Sequence, residues 1–277
     1  MNSFIPWTGG KKNLREAAVL RFPLKYERYI EVFGGGGWVL FHKPQTPFEV
    51  LNDVNSNLTN LYRCVREQPE ELKKQLEYVV NSREDFERIA SLHKNGLLPQ
   101  YGDCDRAVKF YQLIRGSYAN NLRCFSAKPH SYWSDFPLID MAAERLQRVI
   151  IENKDFEQLI RQYDRPVSFF YCDPPYFSTE HYYHDAPFGT EDHQRLRDTL
   201  LGCQGKFLVS YNDCPEIRQL WARDGIWIEP ILRTNNLKQK YEKGSVYPEL
   251  FISNYDTSER EKMGLQLSFF DENGGFF

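Results

Sequence analysis

Residues 167 to 172 read Val-Ser-Phe-Phe-Tyr-Cys and run straight into Asp173, Pro174, Pro175 and Tyr176. An apolar run without polar alternation suits a strand buried on both faces, the environment of a parallel sheet covered by helices. Pro174 lacks an N–H and has a fixed φ, and Pro175 holds Pro174 extended, so the strand must end there in a stiff corner. A carboxylate placed at such a corner, with an aromatic ring just beyond it, needs a chemical reason.

The rest of the chain supports a sheet of this kind. Strands are expected at 26–33, 47–53, 206–211, 226–232 and 247–255, with helices at 191–203 and 215–225 between the later ones. From Leu58 to Leu98 the pattern turns helical, with Leu72, Leu76, Val79, Phe86, Ile89 and Leu92 recurring at spacings of three and four. The stretch from Cys104 predicts a further helix ending near the paired Asn120 and Asn121, and the stretch from Ile139 predicts a helix running into a short strand. The expected fold class is therefore α/β: a mainly parallel sheet, Rossmann-like, interrupted by a helical insertion. Residues 256–264 read as a polar linker to a short apolar tail.

Composition narrows the function classes. With 277 residues, 41% hydrophobic and 15% aromatic, the chain can build a sizeable core. Its six cysteines are scattered without a Cys-x-x-Cys pair, which argues against a metal site or a disulfide framework and suits a reducing cytosol. No apolar run approaches the ~20 residues of a membrane span. The opening MNSFIPWTGGKK lacks the basic-then-apolar pattern of a signal peptide, so a cytoplasmic protein without a membrane partner is expected. A net charge of −3 disfavours purely electrostatic coating of nucleic acid. Locally the balance differs: Arg106, Lys109, Arg115, Arg123 and Lys128 fall in a stretch without an acid, and Arg233, Lys238, Lys240 and Lys243 face only Glu242. Taken alone, both patches are ordinary solvated faces.

Chemistry begins at the glycines. The strand ending in Glu31, Val32 and Phe33 is followed by Gly34 to Gly37, a backbone able to approach a ligand closely. A G-x-G-x-x-G dinucleotide turn fails, because its third glycine would be Val39 or Leu40, and no Gly-Lys-Ser/Thr of a phosphate loop follows. What remains is Phe33-x-Gly35-x-Gly37, with Asp53 at the end of the next strand. An acid at about that distance accepts hydrogen bonds from ribose hydroxyls in doubly wound folds. An adenosine-containing cofactor without a phosphate cradle fits this pattern; Asp53 as a simple helix cap is the plain alternative.

The corner at Asp173 then has a use. The Pro174 carbonyl and the Asp173 carboxylate are two fixed acceptors suited to an amino group with two hydrogens, and Tyr176 offers a face to a flat ring. An aromatic amine is a poor nucleophile. Two acceptors favour its rehybridisation and stabilise the positive charge that develops as it attacks, each by about 3 kcal/mol in the transition state.

These stretches resemble the amino-methylating DNA methyltransferases, most closely the DNA adenine methylase group. PWTGGK (6–11), EVFGGGGWV (31–39), NDVNSNLTNLY (52–62) and FFYCDPPY (169–176) look like its successive motifs, so the likeness spans most of the chain. The resemblance implies a class I S-adenosylmethionine-dependent fold with a catalytic domain at 1–57 and 148–256, a target-recognition domain at 58–147, and a linker and tail at 257–277. It implies that Trp7, Lys11, Phe33, Gly35, Gly37, Asp53, Asp155, Phe156 and Asp173 meet S-adenosylmethionine. Asp173, Pro174, Pro175 and Tyr176 would hold the N6 amine of an adenine flipped out of double-stranded DNA. The same grip suits the N4 amine of cytosine, and an inactive DNA-binding relative is a further alternative. A glutamine amide in a protein is a third substrate for such a corner, but that chemistry usually goes with Asn at this position.

The resemblance is looser in the middle. RGSYANNLRCFSAK (115–128) is similar to the group's recognition stretch, which makes Arg115, Asn120, Arg123 and Lys128 the expected DNA contacts. The group's usual glycine after the asparagine is Asn121 here, so the target sequence does not carry over. In the tail, Gln266, Leu267, Phe269 and Phe270 resemble the short peptide by which bacterial proteins dock on the replication sliding clamp. A monomer or weak dimer in a prokaryotic cytosol or nucleoid is expected, with or without a partner restriction enzyme.

Overall fold

The computed structural model describes residues 1–7, 9–178, 188–234 and 246–262. Gln266, Leu267, Phe269 and Phe270 lie outside the described residues, as do Lys238, Lys240 and Lys243.

The described strands form one sheet: β1 (Arg28–Glu31), β2 (Phe48–Asn52), β3 (Val149–Glu152), β4 (Ser168–Cys172), β5 (Lys206–Asn212), β6 (Trp227–Thr234) and β7 (Val246–Ser253), in the order β3-β2-β1-β4-β5-β7-β6. β1 to β5 run parallel to one another, while β7 runs antiparallel between β5 and β6. The order reverses between β1 and β4. In open α/β sheets a ligand crevice forms outside the carboxyl ends of strands at such a reversal.

Strand parity divides the core into two layers. Val50, Ile30, Phe170, Cys172, Val209, Leu250 and Ile252 face α8 (Phe156–Tyr163), α9 (Thr190–Leu201) and α10 (Pro215–Trp221). Leu51, Tyr29, Phe169, Tyr171, Leu208 and Phe251 face the opposite way. That side is covered by α1 (Arg15–Leu20), α2 (Trp38–His42), α3 (Ser56–Glu67) and α7 (Phe136–Leu146). Beyond them lie α4 (Pro69–Glu77), α5 (Arg83–Lys94) and α6 (Asp103–Gly116), which share the same core through Leu72, Leu76, Phe86, Ile89, Phe110 and Ile114. The all-apolar β4 is buried from end to end, as its sequence requires.

A polar network pins the insertion to the sheet. Arg145 on α7 donates to Glu49 of β2 at 2.5 and 2.9 Å and to the Leu40 carbonyl at 2.9 Å, and Lys43 pairs with the same carboxylate. Glu49 is therefore buried but fully partnered, the condition under which a buried charge is tolerated.

Two stretches differ from expectation. The helix predicted to run to the paired asparagines stops at Gly116, and residues 117–125 fold back as a hairpin. Ser117 bridges Phe125, Tyr118 N–H donates to the Cys124 carbonyl at 2.6 Å, and Ser126 N–H donates to the Gly116 carbonyl at 2.7 Å. Ala119, Asn120 and Leu122 take positive φ at the tip, which no helix allows. The polar stretch after β7 contains a short helix, α11 (Glu259–Lys262), and Arg260 donates to the Phe22 and Pro23 carbonyls at 2.7 and 2.9 Å.

Candidate active site

Three side chains of one parity leave the carboxyl ends of neighbouring strands: Asp53 after β2, Glu31 at the end of β1 and Asp173 after β4. All three line a single cavity of about 880 Å³ with Trp7, Lys11, the turn 33–37, Asp155 and Phe156. Its mouth includes Asn120, Leu122 and Arg123 of the hairpin and Lys94 of α5.

The glycine turn is shaped by its neighbours. Gly35 and Gly37 have φ of +47 and +63, and a Cβ on Gly35 would lie 2.9 Å from the Trp7 ring. The backbone is held from both sides, since Gly35 N–H donates to Asp53 Oδ2 at 2.8 Å and its carbonyl accepts from Tyr62 Oη at 2.8 Å. Asp53 Oδ1 accepts from Asn55 N–H at 2.8 Å. Burial pushes the Asp53 carboxyl above its usual range, against those two amides. Asn55, two residues beyond Asp53, is the cap of α3: its side chain accepts from the Asn57 and Leu58 amides.

Asp173 sits on a buried cation. Lys11 Nζ lies 2.7 Å from Asp173 Oδ1, and Ser210 Oγ donates to the same oxygen at 2.9 Å. Burial raises the Asp173 carboxyl, and Lys11 and Ser210 oppose that shift. The ammonium also stands 4.4 Å from the centroid of the Tyr176 ring. Tyr176 does not line the cavity itself; it meets the site through Lys11 and Asp173, and its hydroxyl donates to Glu249 at 2.7 Å. Pro175 lines the cavity, whereas Pro174 only carries the turn.

Asp155 and Phe156 form the far wall. Asp155 caps α8 through the Glu157 amide, and Arg195 of α9 grips both of its oxygens at 2.8 and 2.9 Å. Burial alone would raise this carboxyl; the Arg195 bonds hold it below the usual range, so it stays ionised. The guanidinium also stacks 4.0 Å from the Phe156 ring, which packs with Phe33 and Phe188 at 5.7 and 5.8 Å.

The expected DNA contacts divide. Asn120 and Arg123 reach the cavity mouth, and the Arg123 side chain is exposed. Lys128 is exposed beyond the cavity lining. Arg115 turns inward instead: it pairs with the buried Asp135 and donates to His130 at 3.3 Å, so its charge is spent inside the insertion. Asn121, standing where the resembling group has glycine, accepts from the Arg123 and Cys124 amides, both at 2.9 Å, and so ties the hairpin tip with a bond glycine could not make.

Four residues escaped the sequence reasoning. Glu31 lines the cavity, accepts from Tyr29 Oη at 2.7 Å and is raised by burial to about 8. Ser210, Glu249 and Arg195 support Asp173, Tyr176 and Asp155 from behind. A signal existed for two of them: Glu31 and Glu249 are lone acids inside apolar strands, where burial without a partner is costly.

The lining tests a sulfonium nucleoside favourably. Four carboxyl groups face the cavity, from Glu31, Asp53, Asp155 and Asp173, and the Lys11 ammonium is committed to one of them. That set accepts hydrogen bonds from the hydroxyl and amino groups of a nucleoside, and the ionised Asp155 favours a positive ligand, while Lys94, Arg123 and Lys154 also line the cavity.

Comparison with known proteins points the same way. A family model described as D12 class N6 adenine-specific DNA methyltransferase matches residues 7–237. The Type II methyltransferase M1.LlaDCHI of Lactococcus lactis subsp. cremoris is 30% identical over 278 residues, covering 92% of this chain and 96% of its own. The DNA N-6-adenine-methyltransferase of Escherichia phage P1 is 27% identical, over 86% of this chain and 33% of that protein. The DNA adenine methylase of Escherichia coli K12 is 26% identical, over 84% of this chain and 88% of its own.

Proposed function

This chain belongs to the D12 class of N6 adenine-specific DNA methyltransferases, and on that premise we propose how its residues divide the work. S-adenosylmethionine, when bound, supplies a methyl group activated on a sulfonium. Trp7, the turn Phe33-x-Gly35-x-Gly37, Asp53, Asp155 and Phe156 hold it, with Asp53 toward ribose hydroxyls and Asp155 toward the adenine amine. Residues 1–57 and 148–256 form the catalytic domain, and 58–147 the recognition domain. Asn120 and Arg123 on the hairpin meet DNA, joined by the exposed Lys128. Residues 257–277 carry a clamp-docking peptide at Gln266, Leu267, Phe269 and Phe270.

The observation that carries this proposal is that Asp173, Lys11, the glycine turn and Asp53 share one cavity. Asp173 Oδ1 is already occupied by Lys11 and Ser210, which leaves Oδ2 as the acceptor for a target amine; a second bond, to the Pro174 carbonyl, is part of the proposal. As that nitrogen took the methyl, the carbon–sulfur bond would break with S-adenosylhomocysteine as the leaving group; the nitrogen would gain positive charge beside the Asp173 carboxylate and then lose its surplus proton to solvent. Asp173 orients and stabilises; its protonated partner is already Lys11, so it need not act as a strong base. The base must leave the duplex to reach this corner.

The test is direct. Duplex DNA is incubated with the protein and methyl-labelled S-adenosylmethionine, digested to nucleosides and resolved by mass spectrometry, with single-molecule sequencing to read the site. Labelled N6-methyladenine is expected. An Asp173→Asn variant, which keeps an acceptor beside Lys11, should bind cofactor and transfer about 100-fold more slowly. Labelled N4-methylcytosine, or wild-type transfer by the variant, overturns the proposal.

A further inference from the structure

We infer that Glu249 is a positioning residue for the catalytic corner: it fixes the Tyr176 ring that an extruded base must stack on. The inference rests on the assignment of Asp173 to Tyr176 as the target-base site.

The argument starts from strand register. Asn212 of β5 stands opposite Glu249 of β7, and Ser210 stands opposite Phe251. Residues paired directly, or two apart on one strand, project to the same face of a sheet. Ser210, Asn212 and Glu249 therefore form a polar group on one face, and each takes hold of a different part of the corner. Ser210 Oγ donates to Asp173 Oδ1 at 2.9 Å. Asn212 Oδ1 accepts from the Phe177 amide at 3.1 Å, and its Nδ2 donates to the Phe177 carbonyl at 3.3 Å. Glu249 accepts from the Tyr176 hydroxyl at 2.7 Å.

The prolines cannot do this last task. They stiffen φ at 174 and 175, but the side-chain torsions of Tyr176 are fixed only by what its ring and hydroxyl touch. Glu249 holds the far end of that ring. It is 3% exposed and followed by the buried Leu250, Phe251 and Ile252, in a strand where an apolar residue would avoid the cost of burying a carboxylate. The Lys11 ammonium stands 4.4 Å from the ring centroid and 2.7 Å from Asp173 Oδ1, so the ring held by Glu249 borders the Asp173 corner beneath that ammonium, and a base stacks on it once Lys11 moves aside. A tilt of the ring would spoil stacking and, with it, the approach of the amine to Asp173.

The experiment uses the full chain and a duplex carrying 2-aminopurine in place of the adenine that sequencing identifies as methylated. Emission rises when the analogue leaves the stack and is quenched where it stacks on an aromatic ring. With S-adenosylhomocysteine present, the wild type should show extrusion with partial quenching. Glu249→Ala and Tyr176→Phe should each raise emission further and lower kcat about tenfold, with little change in the KM for S-adenosylmethionine. The double variant should be no worse than either single one, and Glu249→Gln, which keeps an acceptor, should restore most of kcat. Should Glu249→Ala fail to fold, Tyr176→Phe breaks the same bond from the other end and decides alone. Wild-type kcat and emission in Tyr176→Phe or in a folded Glu249→Ala, or additive losses in the double variant, overturn the inference. A wild type without any rise on binding overturns the base-extrusion assignment itself, and the inference with it.

Discussion

Glu31 behaves unlike an ordinary surface carboxylate. Burial raises it from 4.5 to about 8, partly offset by the Tyr29 hydroxyl and the Leu40 amide, so at neutral pH it carries its proton. The folded state then binds a proton that the unfolded chain has released, and the stabilisation is complete only below the unfolded value. It is lost as pH rises through about 8. Glu31→Gln keeps an uncharged acceptor for Tyr29 and should flatten that loss: melting temperatures should fall with pH for the wild type below about 8 and much less for the variant. Parallel pH profiles of the two proteins would refute this. Lys43, lowered to about 8 by burial, acts with opposite sign and only above that pH, so the two effects do not overlap. At this scale the residues legible in the sequence were those inside contiguous motifs: Asp173, Asp53, Lys11 and Asp155 all reach the cavity or its rim. Arg195 was not legible, because its partner Asp155 lies 40 residues away along the chain; Glu249 stood out as an acid in an apolar strand, but its partner Tyr176, 73 residues away, did not.

At the scale of elements, the turn between β1 and α2 is the part most sensitive to a single carbon. Gly37 has φ of +63, and a Cβ there would lie 3.0 Å from the Phe41 ring and 3.1 Å from the Tyr62 hydroxyl, which itself holds the Gly35 carbonyl. Gly37→Ala should cost about 1–2 kcal/mol for the left-handed backbone alone. That corresponds to roughly 2–8 °C in melting temperature by calorimetry for a chain of this size, with weaker S-adenosylhomocysteine binding by titration. An unchanged melting temperature and affinity would show that the turn tolerates a side chain. The same paragraph of sequence that announced this turn gave no warning of the hairpin at 117–125. Gly116 and Ser117 are weak helix formers, and there Ser117 and Phe125 pair with each other while the Asn121 side chain ties the tip.

For the whole molecule, alternation of strands and helices was enough to expect a mainly parallel sheet, and β1 to β5 are arranged so. The antiparallel placing of β7 was beyond it, because periodicity reports which side chains face inward and is silent about strand direction. The tail poses a separate question. Deleting residues 265–277 should leave methyl transfer in vitro at wild-type rate and abolish retention on an immobilised sliding clamp. Equal retention of the two forms would end the docking assignment. The site also has an order of assembly written into the sheet. β7 comes last among the described strands yet is threaded between β5 and β6, and it delivers Glu249 to Tyr176. A chain still on the ribosome, with residue 249 not yet emerged, already has Lys11 and Ser210 for Asp173 but lacks the carboxylate that holds the Tyr176 hydroxyl, so that half of the corner is completed last.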